Sequence, residues 1–416
     1  MIDLRLLRSD LERVRASLEL RGSKIDIDAL VELEARCREL TASVEKDRAA
    51  HNEANRQIAQ TAPDQRESAI AAARELAERF KGAEAQLQKA REELDAAAAT
   101  MPNLVYPQAP PGSGDESNLL VRTVGEVKTF DFEGRDHLTI GESLDIIDVE
   151  RAAKVSGSRF GMLKGKGALL EFALVRLVMD RLMAHGFIPV IPPVLVREEA
   201  MYGTGFFPTD EQQVYKTEAD DLYLAGTAEV PLASMHGGET FDADKLPLRY
   251  AGFSTCFRRE AGTYGKDTRG IIRLHQFDKV EMFSFCRAEH SDGEHLMLVG
   301  LEESIFQALE IPYRVIEICA GDLADPNYRK FDIEAWLPGT QRWLEVTSCS
   351  NDIDYQARRL GIRAKGATGA EFVHTLNGTA VAVQRTIVAI LENHQQADGS
   401  VLLPAALRPY TGFDSL

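Results

Sequence analysis

The sequence predicts an α+β protein in which an N-terminal antiparallel α-helical coiled-coil hairpin precedes a larger domain built on a β-sheet flanked by helices. Three observations favour this fold. Residues 28–99 are rich in Ala, Glu, Arg and Leu and contain a single Pro and a single Gly. A Pro-, Gly- and Ser-rich segment follows at 101–125. From residue 126 onward, short β-like runs alternate with helical ones, as in a domain that packs helices against a sheet.

The N-terminal hairpin is predicted from a heptad repeat in each half of residues 28–99. Apolar side chains recur with 3,4 spacing at Leu30, Leu33, Cys37, Leu40 and Val44, and again at Ala73, Leu76, Phe80, Ala83, Leu87, Ala90 and Leu94. A repeat over about four heptads is typical of a coiled coil. Residues 61–64 (TAPD) interrupt it, which predicts two antiparallel arms of about 30 residues, with Asp28 as the first N-cap, in an N-terminal domain of residues 1–100. An intermolecular coiled coil used only for dimerisation is the alternative.

The rest of the chain is predicted to be a linker, residues 101–125, and one large domain, residues 126–416. Strands are predicted at 187–196, 250–257, 273–285, 313–319, 331–336 and 343–348. Helices are predicted at 166–185, 291–310 and 380–394. The sequence has neither a Walker loop nor a GxGxxG motif, so a nucleotide site in this domain would not use a glycine-rich phosphate-binding loop.

Length and composition set bounds on the function. At 416 residues the chain is long enough for two or three domains, and its net charge of −17 argues against non-specific nucleic-acid binding. A specific RNA partner that meets a local basic surface is compatible with that charge. No apolar run approaches the ~18 residues of a membrane helix, and the N-terminus is charged every few residues, so we expect a cytoplasmic protein. Five cysteines without a CxxC pair predict reduced thiols and no structural zinc.

The segment 256–281, CFRREAGTYGKDTRGIIRLHQFDKVE, carries the strongest chemical signal. If both of its flanks are strands, side chains two residues apart lie on one face. The residues grouped in this way are Arg258, Glu260, Arg273, His275, Phe277, Lys279 and Glu281. Burying such groups unpaired costs on the order of 2–7 kcal/mol each, so this face is expected to meet water or a polar ligand. A ring for a base, cations for phosphates and an acid for an amine favour a nucleotide. The alternative is a solvated face of an edge sheet.

Arg385 is conspicuous because it interrupts the otherwise apolar run AVAVQRTIVAIL at 380–391. An arginine in such a position either extends its charged end to the surface or faces a buried anion. The residues alone leave both interpretations open.

Four further blocks accompany the segment 256–281. They are DHLTIGESLDIIDVERAAKVSGSRFGMLKG at 136–165, GTAEVPLAS at 226–234, EVTSCSN at 345–351 and HTLNGTAVAVQRTIVAILENHQQADG at 374–399. In order and spacing, these blocks resemble those of the bacterial-type seryl-tRNA synthetases over essentially the whole chain. The resemblance implies a class II aminoacyl-tRNA synthetase whose antiparallel sheet core, flanked by helices, forms the catalytic domain. It also implies a homodimer and an N-terminal arm that binds tRNA(Ser).

The resemblance further implies a reaction and the residues that serve it. The protein would activate L-serine with Mg-ATP to seryl-adenylate and transfer serine to the 3′ end of tRNA(Ser), with tRNA(Sec) as an open second substrate. The ATP-binding residues it implies are Arg258, Arg259, Glu260, Leu274, Phe277, Glu345, Val346, Thr347, Ser348 and Arg385. The serine-binding residues it implies are Thr227, Ala228, Glu229, Glu281 and Thr379. Glu345 and Ser348 would also hold Mg²⁺ together with ATP phosphates.

Individual roles follow from the same resemblance. Arg258 and Arg385 are the implied catalytic residues: the first bridges the α-phosphate and the serine carboxylate, and the second holds the γ-phosphate. Glu260 accepts a hydrogen bond from the adenine amino group, and Phe277 stacks on the adenine ring. The loop that carries Lys266 is expected to move over ATP and the acceptor end of the tRNA.

Some residues depart from the family pattern. Ala380, Val381 and Gln384 stand where Gly, Leu and Gly are more usual, and residues 321–328 stand where many members have small residues. Tyr328 is expected to reshape a wall near the active site. Two alternatives are therefore kept: a specialised paralogue that supplies activated serine or Ser-tRNA to a biosynthetic pathway, and a catalytically silent RNA-binding homologue.

Overall fold

The computed structural model describes residues 1–262, 265, 269–366 and 369–416; Lys266 lies outside the described residues. The chain forms two compact units, Ile2–Met101 and Pro102–Leu416, the latter together with Met1. Within the described ranges, no helix has the length and apolar character needed to cross a membrane. The five cysteines are all free and buried.

Four helices make up the N-terminal unit. They are α1 (Leu6–Ser9), α2 (Leu11–Leu20), α3 (Ile27–Gln60) and α4 (Arg66–Ala99). The two arms are α3 and α4, each 34 residues long. The N-cap of α3 is Asp26 rather than the predicted Asp28. Asp26 has an extended backbone and accepts a hydrogen bond from the amide of Ala29 at 3.1 Å, whereas Asp28 already lies inside the helix.

Ion pairs between the arms show that α3 and α4 run antiparallel. Arg36 pairs with Glu93 at 3.5 Å, and Arg48 pairs with Glu84 at 3.1 Å, so the partner number falls as α3 advances. The buried apolar residues of the two helices include the predicted heptad positions Leu30, Cys37, Val44, Ala73, Leu87, Ala90 and Leu94. The predicted antiparallel helical hairpin is confirmed.

A charged residue interrupts the apolar contact between the arms. Asp47 is only 6% exposed and forms an ion pair with Arg79 of the other helix. One turn further along α3, the ring of His51 stacks on that of Phe80 at 6.3 Å between centroids. Because a buried carboxylate without a partner is costly, the Arg79 guanidinium makes Asp47 tolerable at this position.

The second unit contains the strands and the remaining helices. In chain order its strands are β1 (Leu119–Val124), β2 (Ile147–Asp148), β3 (Met162–Leu163), β4 (Ile188–Val190), β5 (Leu195–Val196), β6 (Tyr215–Thr217), β7 (Leu222–Leu224), β8 (Thr240–Phe241), β9 (Leu248–Phe257), β10 (Gln276–Cys286), β11 (Tyr313–Glu317), β12 (Arg329–Leu337), β13 (Arg342–Asn351), β14 (Arg363–Gly366), β15 (Gly369–Phe372) and β16 (His374–Ala382). Its helices are α5 (His137–Ser143), α6 (Val149–Ser156), α7 (Lys166–Ala184), α8 (Glu198–Thr204), α9 (Glu229–Ser234), α10 (Ser291–Ala308), α11 (Tyr355–Leu360), α12 (Val383–His394) and α13 (Arg408–Thr411).

An eight-stranded sheet forms the centre of this unit, in the order β1-β11-β12-β13-β16-β10-β9-β4. Neighbouring strands are antiparallel, except that β4 runs parallel to β9. Smaller sheets have the orders β15-β14-β8, β2-β3 and β5-β7-β6. The structure therefore confirms the α+β class and the antiparallel sheet core.

Helices α7, α10 and α12 contribute to the main hydrophobic core beside this sheet. Every residue of α12 except Arg385 is buried. A helix buried on all sides belongs to the interior of a domain. Arg385 is the one residue of α12 that is not buried, so its side chain lies where the interior opens.

The structure differs from the sequence prediction at several boundaries. Residues 119–124, inside the predicted linker, form the edge strand β1. The predicted strand 187–196 is divided between β4 and β5, which belong to different sheets. The predicted helix 380–394 begins only at Val383, because residues 374–382 are extended and hydrogen-bonded to strands on both sides. Pairing with distant strands here overrides the weak local signal of a Gly- and Asn-containing segment.

Candidate active site

A cavity opens where two neighbouring strands of the sheet part. β13 and β16 pair only from Cys349 to Asn351, opposite Gly378 back to Leu376. Beyond that point both strands carry a bulge: Val346 of β13 is unpaired in the register with β12, and Ala380 of β16 is unpaired in the register with β10. The residues that line the cavity are Arg258, Glu260, Ile271, Ile272, Arg273, Leu274, Phe277, Lys279, Glu345, Val346, Thr347, Ser348, Thr379, Ala382, Gln384 and Arg385.

The bulges decide which side chains reach this cavity. In a regular strand, residues three apart point to opposite faces. A bulge adds one residue and shifts that alternation. Glu345 and Ser348, on either side of the bulge at Val346, consequently line the same cavity, as do Thr379 and Ala382 around Ala380.

Arg258 enters the cavity from the end of β9. Its amide donates to the carbonyl of His275 at 3.0 Å, which continues the β9–β10 pairing beyond the strand ends. Its Nε donates to the carbonyl of Gly226 at 3.1 Å, and its guanidinium carbon lies 5.4 Å from the ring centroid of Phe277. This geometry fits a cation–π contact and holds a planar cation beside an aromatic face.

The predicted single face of the segment 256–281 is only partly realised. Glu260 and Arg273 line the cavity and form an ion pair at 2.7 Å. His275 does not line it: its ring lies 5.4 Å from Phe160 and 6.3 Å from Tyr215. The reason is that β10 begins at Gln276, so the strand alternation does not extend back to residues 273–275.

Arg259 is also absent from the residues that line the cavity, although the family pattern implied it as an ATP ligand. Its amide donates to the carbonyl of Gln213 at 2.8 Å. Arg258 and Arg259 follow the end of β9, and of the two only Arg258 lines the cavity.

The residues implied for serine lie next to Lys279. Glu281 is buried, forms an ion pair with Lys279, and accepts a hydrogen bond from the hydroxyl of Thr227 at 3.3 Å. Across the sheet Glu281 lies opposite Thr379, which lines the cavity. The amide of Glu229 donates to the Thr227 hydroxyl oxygen at 3.2 Å. Ala228, between the two, is fully buried and occupies the N-cap position of α9 without a side-chain capping bond.

The pKa of the Glu229 carboxyl group is raised above its ordinary value. Its carboxylate accepts hydrogen bonds from the side-chain amides of Gln356 at 2.7 Å and Asn377 at 3.2 Å. Burial and the nearby carboxylate of Glu281 raise its pKa to about 7, against the lowering effects of Gln356, Lys279 and Arg258. Glu229 and Glu281 are thus two neighbouring buried acids, of which Glu281 forms an ion pair with Lys279.

Arg385 and Glu345 form the opposite side of the cavity. The Nη1 of Arg385 donates to the carbonyl of Glu345 at 2.9 Å and lies 3.4 Å from its carboxylate, while Nε donates to the carbonyl of Ile272 at 3.3 Å. Burial acts to raise the pKa of Glu345, but the cations of Arg385 and Lys330, among others, outweigh it and lower that pKa. Glu345 is therefore an ionised, half-exposed carboxylate at neutral pH.

The structure reveals supporting residues that sequence reasoning missed. The hydroxyl of Thr347 donates to Glu302 at 3.0 Å, and Glu302 is fully buried in α10. Burial, together with the carboxylates of Glu281 and Asp332, raises the pKa of Glu302 well above its ordinary value. Nothing in the sequence sets this glutamate apart from the surface acids of α10, because its role depends on which helix face the sheet covers.

The departures from the family pattern lie in different surroundings. Gln384 lines the cavity, accepts from the amide of Asp278 at 2.9 Å and donates to Glu171 at 3.4 Å. Tyr328 is not among the lining residues; its ring lies 5.7 Å from that of Tyr106. The expectation that Tyr328 reshapes a wall near the active site therefore stays a prediction.

The oxygens of Glu345 and Ser348 are among the donors that the described part of the cavity offers to a metal ion. Among the residues described, no group of three or more His, Cys, Asp or Glu side chains is arranged to hold a metal ion. Glu345 and Ser348 supply one carboxylate and one hydroxyl to the cavity. This sparse, hard-oxygen donor set fits Mg²⁺ bound mainly through substrate phosphates.

Comparison with known proteins agrees with this geometry. The model of the seryl-tRNA synthetase N-terminal domain matches residues 1–105, and that of the tRNA synthetase class II core domain (G, H, P, S and T) matches residues 213–394. Serine–tRNA ligases from Acidothermus cellulolyticus and Thermobifida fusca are 53% and 50% identical, and each alignment covers 100% of this chain and 99% of the relative.

Solved structures extend the likeness to the fold. Seryl-tRNA synthetase from Pyrococcus horikoshii, complexed with ATP, is 40% identical with a TM-score of 0.94, over 100% of this chain and 99% of that one. Cytoplasmic serine–tRNA ligase from Naegleria fowleri, in complex with AMP, is 30% identical with a TM-score of 0.91, over 100% and 98%. The chain belongs to the seryl-tRNA synthetase family, the serine–tRNA ligases among the class II aminoacyl-tRNA synthetases.

Proposed function

We propose that the cavity between β13 and β16 activates L-serine with Mg-ATP, and that serine is then transferred to tRNA(Ser). One observation carries this proposal. Two guanidinium groups, those of Arg258 and Arg385, line one cavity with the ring of Phe277, and the buried Glu281–Thr227 pair lies beside it. Cations for phosphates, a ring for a base and an acid for an ammonium group are the elements that the reaction needs.

ATP is proposed to lie along the cavity with its base at the Phe277 end. Phe277 offers a ring face, Leu274 a backbone, and Glu260 a carboxylate acceptor for the adenine amino group. Arg258 would bind the α-phosphate and Arg385 the γ-phosphate, as planar guanidinium groups bind paired oxygens well. The ATP- and AMP-bound relatives support a nucleotide in this fold.

Serine is proposed to lie next to Lys279. Glu281 and Glu229 would face its ammonium group, and Thr227 and Thr379 would border its hydroxyl. A site that hydrogen-bonds a substrate hydroxyl rejects an analogue without it by roughly 10⁴–10⁵, because the polar groups of the site are otherwise left unpaired. Discrimination against alanine therefore needs no second, hydrolytic site.

The chemistry proceeds in two displacements. The serine carboxylate attacks the α-phosphorus, the bond to the bridging oxygen breaks, and pyrophosphate leaves. A terminal ribose hydroxyl of the tRNA then attacks the carbonyl carbon, the bond from that carbon to the phosphate oxygen breaks, AMP leaves, and the hydroxyl proton is released. Arg258 and Arg385 stabilise the charge that develops on the phosphates, and the remaining residues orient the reactants. Mg²⁺, held by Glu345, Ser348 and the phosphates, would neutralise phosphate charge.

The N-terminal arm, α3 and α4, is proposed to bind tRNA(Ser). Support comes from the match of residues 1–105 to the N-terminal domain of the family. The domain division into 1–100, a linker in 101–125 and a catalytic domain to residue 416 is part of this proposal, as is a cytoplasmic location.

A homodimer is proposed through the surface that carries α7 and the segment after β4. This surface exposes large apolar side chains: Phe172 is 68% exposed and Ile191 is 83% exposed. Leu169 and Ile188 are also exposed. Helix α7 contacts β4, and exposed apolar groups on two neighbouring elements favour burial against a partner, here a second copy.

Serine-dependent ATP–pyrophosphate exchange, followed by charging of total tRNA, tests the proposal. We expect exchange with serine, little with alanine or threonine, and charging of tRNA(Ser). Absence of exchange with serine contradicts the reaction and favours a catalytically silent homologue. Exchange without charging points instead to a paralogue that supplies activated serine to another acceptor.

A further inference from the structure

A buried histidine and glutamate lie outside the residues so far assigned to substrates. His137 is the first residue of α5 and Glu392 lies near the end of α12; both are buried. One carboxylate oxygen of Glu392 accepts from the amide of His137 at 3.1 Å and lies 3.4 Å from its Nδ1. The other accepts from the amides of Gly339 at 3.0 Å and Thr340 at 3.3 Å. Glu392 is thus an acceptor for N–H groups from two separate segments.

These contacts assign the protons of the imidazole. Nδ1 faces a carboxylate oxygen, so it carries the proton and donates. Nε2 faces the amide of Ile271 at 3.3 Å, so it accepts. A neutral ring in this tautomer satisfies both neighbours, and Glu392 orients it, as carboxylates commonly orient histidines at functional sites.

On its other side, His137 contacts Gly270 and Ile271, at the start of the residues 271–274 that line the cavity. Gly270 has a φ of +74°, and a side-chain carbon there would lie 2.0 Å from Nε2 of His137, so only glycine allows this approach. The preceding residue, Arg269, donates from Nε to Asp136 at 2.7 Å. Three successive residues, 269–271, are therefore attached to the start of α5.

The residue that follows this attached segment, Ile272, contacts Arg385. The carbonyl of Ile272 accepts from the Nε of Arg385 at 3.3 Å, and residues 271–274 all line the cavity. Arg385 and Glu392 lie about two turns apart on α12, hence on similar faces of that helix. The helix α12 consequently contacts residues 271–272 at two points, through Arg385 directly and through Glu392 by way of His137.

We propose that His137, oriented by Glu392, is a positioning residue for ATP: it holds residues 270–272 so that the Ile272 carbonyl orients Arg385 and the adenine side of the cavity keeps its shape. The inference rests on the proposed function, because it assigns ATP to this cavity. ATP binding then requires Nε2 of His137 to accept a hydrogen bond, although His137 is not assigned to any substrate.

Paired substitutions separate the two hydrogen bonds of the ring. In His137→Gln the amide oxygen can take the place of Nε2 as acceptor from Ile271. In His137→Asn the amide nitrogen can take the place of Nδ1 as donor to Glu392, but no acceptor reaches Ile271. The ATP and serine KM values are measured by pyrophosphate exchange, ATP binding by calorimetry, and folding by thermal unfolding.

We expect His137→Asn to raise the KM and Kd for ATP about five- to tenfold, in line with the loss of one hydrogen bond, and the serine KM less than about twofold. We expect His137→Gln to stay within about threefold of wild type for ATP. Three outcomes would overturn the inference while leaving the proposed function intact. The two variants could weaken ATP binding equally, the KM values for ATP and serine could rise equally, or the KM and Kd for ATP could stay unchanged in His137→Asn. Wild-type protein without serine-dependent exchange would overturn both.

A second comparison does not depend on replacing the histidine. Gly270→Ala introduces an unfavourable φ and displaces His137, whereas Gly238→Ala introduces a similar φ, +79°, with no atom within 4 Å of the added carbon. We expect Gly270→Ala to weaken ATP binding about tenfold and Gly238→Ala to leave ATP binding unchanged. The same ATP affinity in both variants would overturn the inference.

Discussion

The guanidinium of Arg385 contacts Glu345 at two points: its Nη1 donates to the backbone carbonyl at 2.9 Å and lies 3.4 Å from the side-chain carboxylate. The two residues come from different elements, the buried helix α12 and the bulged part of β13. The pair therefore closes one side of the cavity and keeps a cation and an acid side by side where phosphates and Mg²⁺ are proposed to bind.

Removing this cation should nearly abolish activation. We expect Arg385→Ala to lower serine-dependent pyrophosphate exchange by about 10²–10³-fold, the range seen when one preorganised donor to developing charge is lost. Arg287→Ala is the matched control, because Arg287 forms an exposed pair with Glu289 and such pairs contribute little. Exchange by Arg385→Ala within threefold of the Arg287→Ala rate would contradict the assigned role.

Phe277 should matter for ATP and not for serine. Loss of one aromatic face under a base costs about 1–3 kcal/mol, so Phe277→Ala should raise the ATP KM by about five- to a hundredfold. Phe277→Trp should retain most of the affinity. Phe130→Ala removes a ring from a stacked pair that does not line the cavity and serves as the control. A serine KM that rises as much as the ATP KM would argue against stacking.

The raised pKa of Glu229 predicts a pH dependence of serine binding. Its pKa of about 7 means that the group holds a proton below neutral pH. A serine ammonium group favours the ionised form, so the serine KM should rise as pH falls below 7, by at most about tenfold per pH unit. Steady-state kinetics from pH 5.5 to 8.5 measure this slope. Glu229→Gln, which cannot titrate, should bind serine more weakly and show no such slope; the same slope in both proteins would contradict the assignment.

The same shift has a consequence for stability with the opposite trend. A carboxyl group whose pKa is higher in the folded than in the unfolded state favours unfolding as pH rises from 4.5 to about 7. Glu229→Gln removes this effect. We expect its stability relative to wild type, measured by urea unfolding, to be greater at pH 8 than at pH 4.5. An unchanged difference across that window would show that the pKa is not raised.

The arm should separate charging from activation. A variant that lacks residues 30–98, with the ends joined by a short Gly/Ser linker, should keep exchange within about threefold and lose most tRNA charging, since the lining residues all lie beyond residue 257. Charging at the wild-type rate would show that α3 and α4 do not select tRNA.

The exposed apolar surface should decide the oligomeric state. Phe172→Glu combined with Ile191→Lys places opposite charges where a partner would need apolar contacts, and we expect a monomer by light scattering. The same two substitutions at Leu120 and Val127, which are also exposed, are the control and should leave the oligomeric state unchanged. A dimer that persists in the first variant would contradict the proposed interface.

Much of the fold was accessible from periodicity alone. The arms α3 and α4, the helix α7 and the strands β9 and β12 lie within a few residues of their predicted bounds, because each has a long apolar pattern with one period. The sequence predicts no strand at the position of β16 and a linker at the position of β1. Both depend on hydrogen bonds to strands far away in the chain, which local composition does not encode.

By itself, the sequence determined which chemical groups are present and, through the five blocks, the family to which they belong. It indicated Arg258, Phe277 and Arg385 without any coordinates. Only the tertiary structure decided which side chains meet. In the folded protein, Arg259 and His275 do not line the cavity. Glu345 and Ser348 line the same cavity because of one bulge, and His137 lies against Gly270. The physical reason is register: a shift of one residue moves a side chain to the other face of a sheet, and that shift is set by partners distant in sequence.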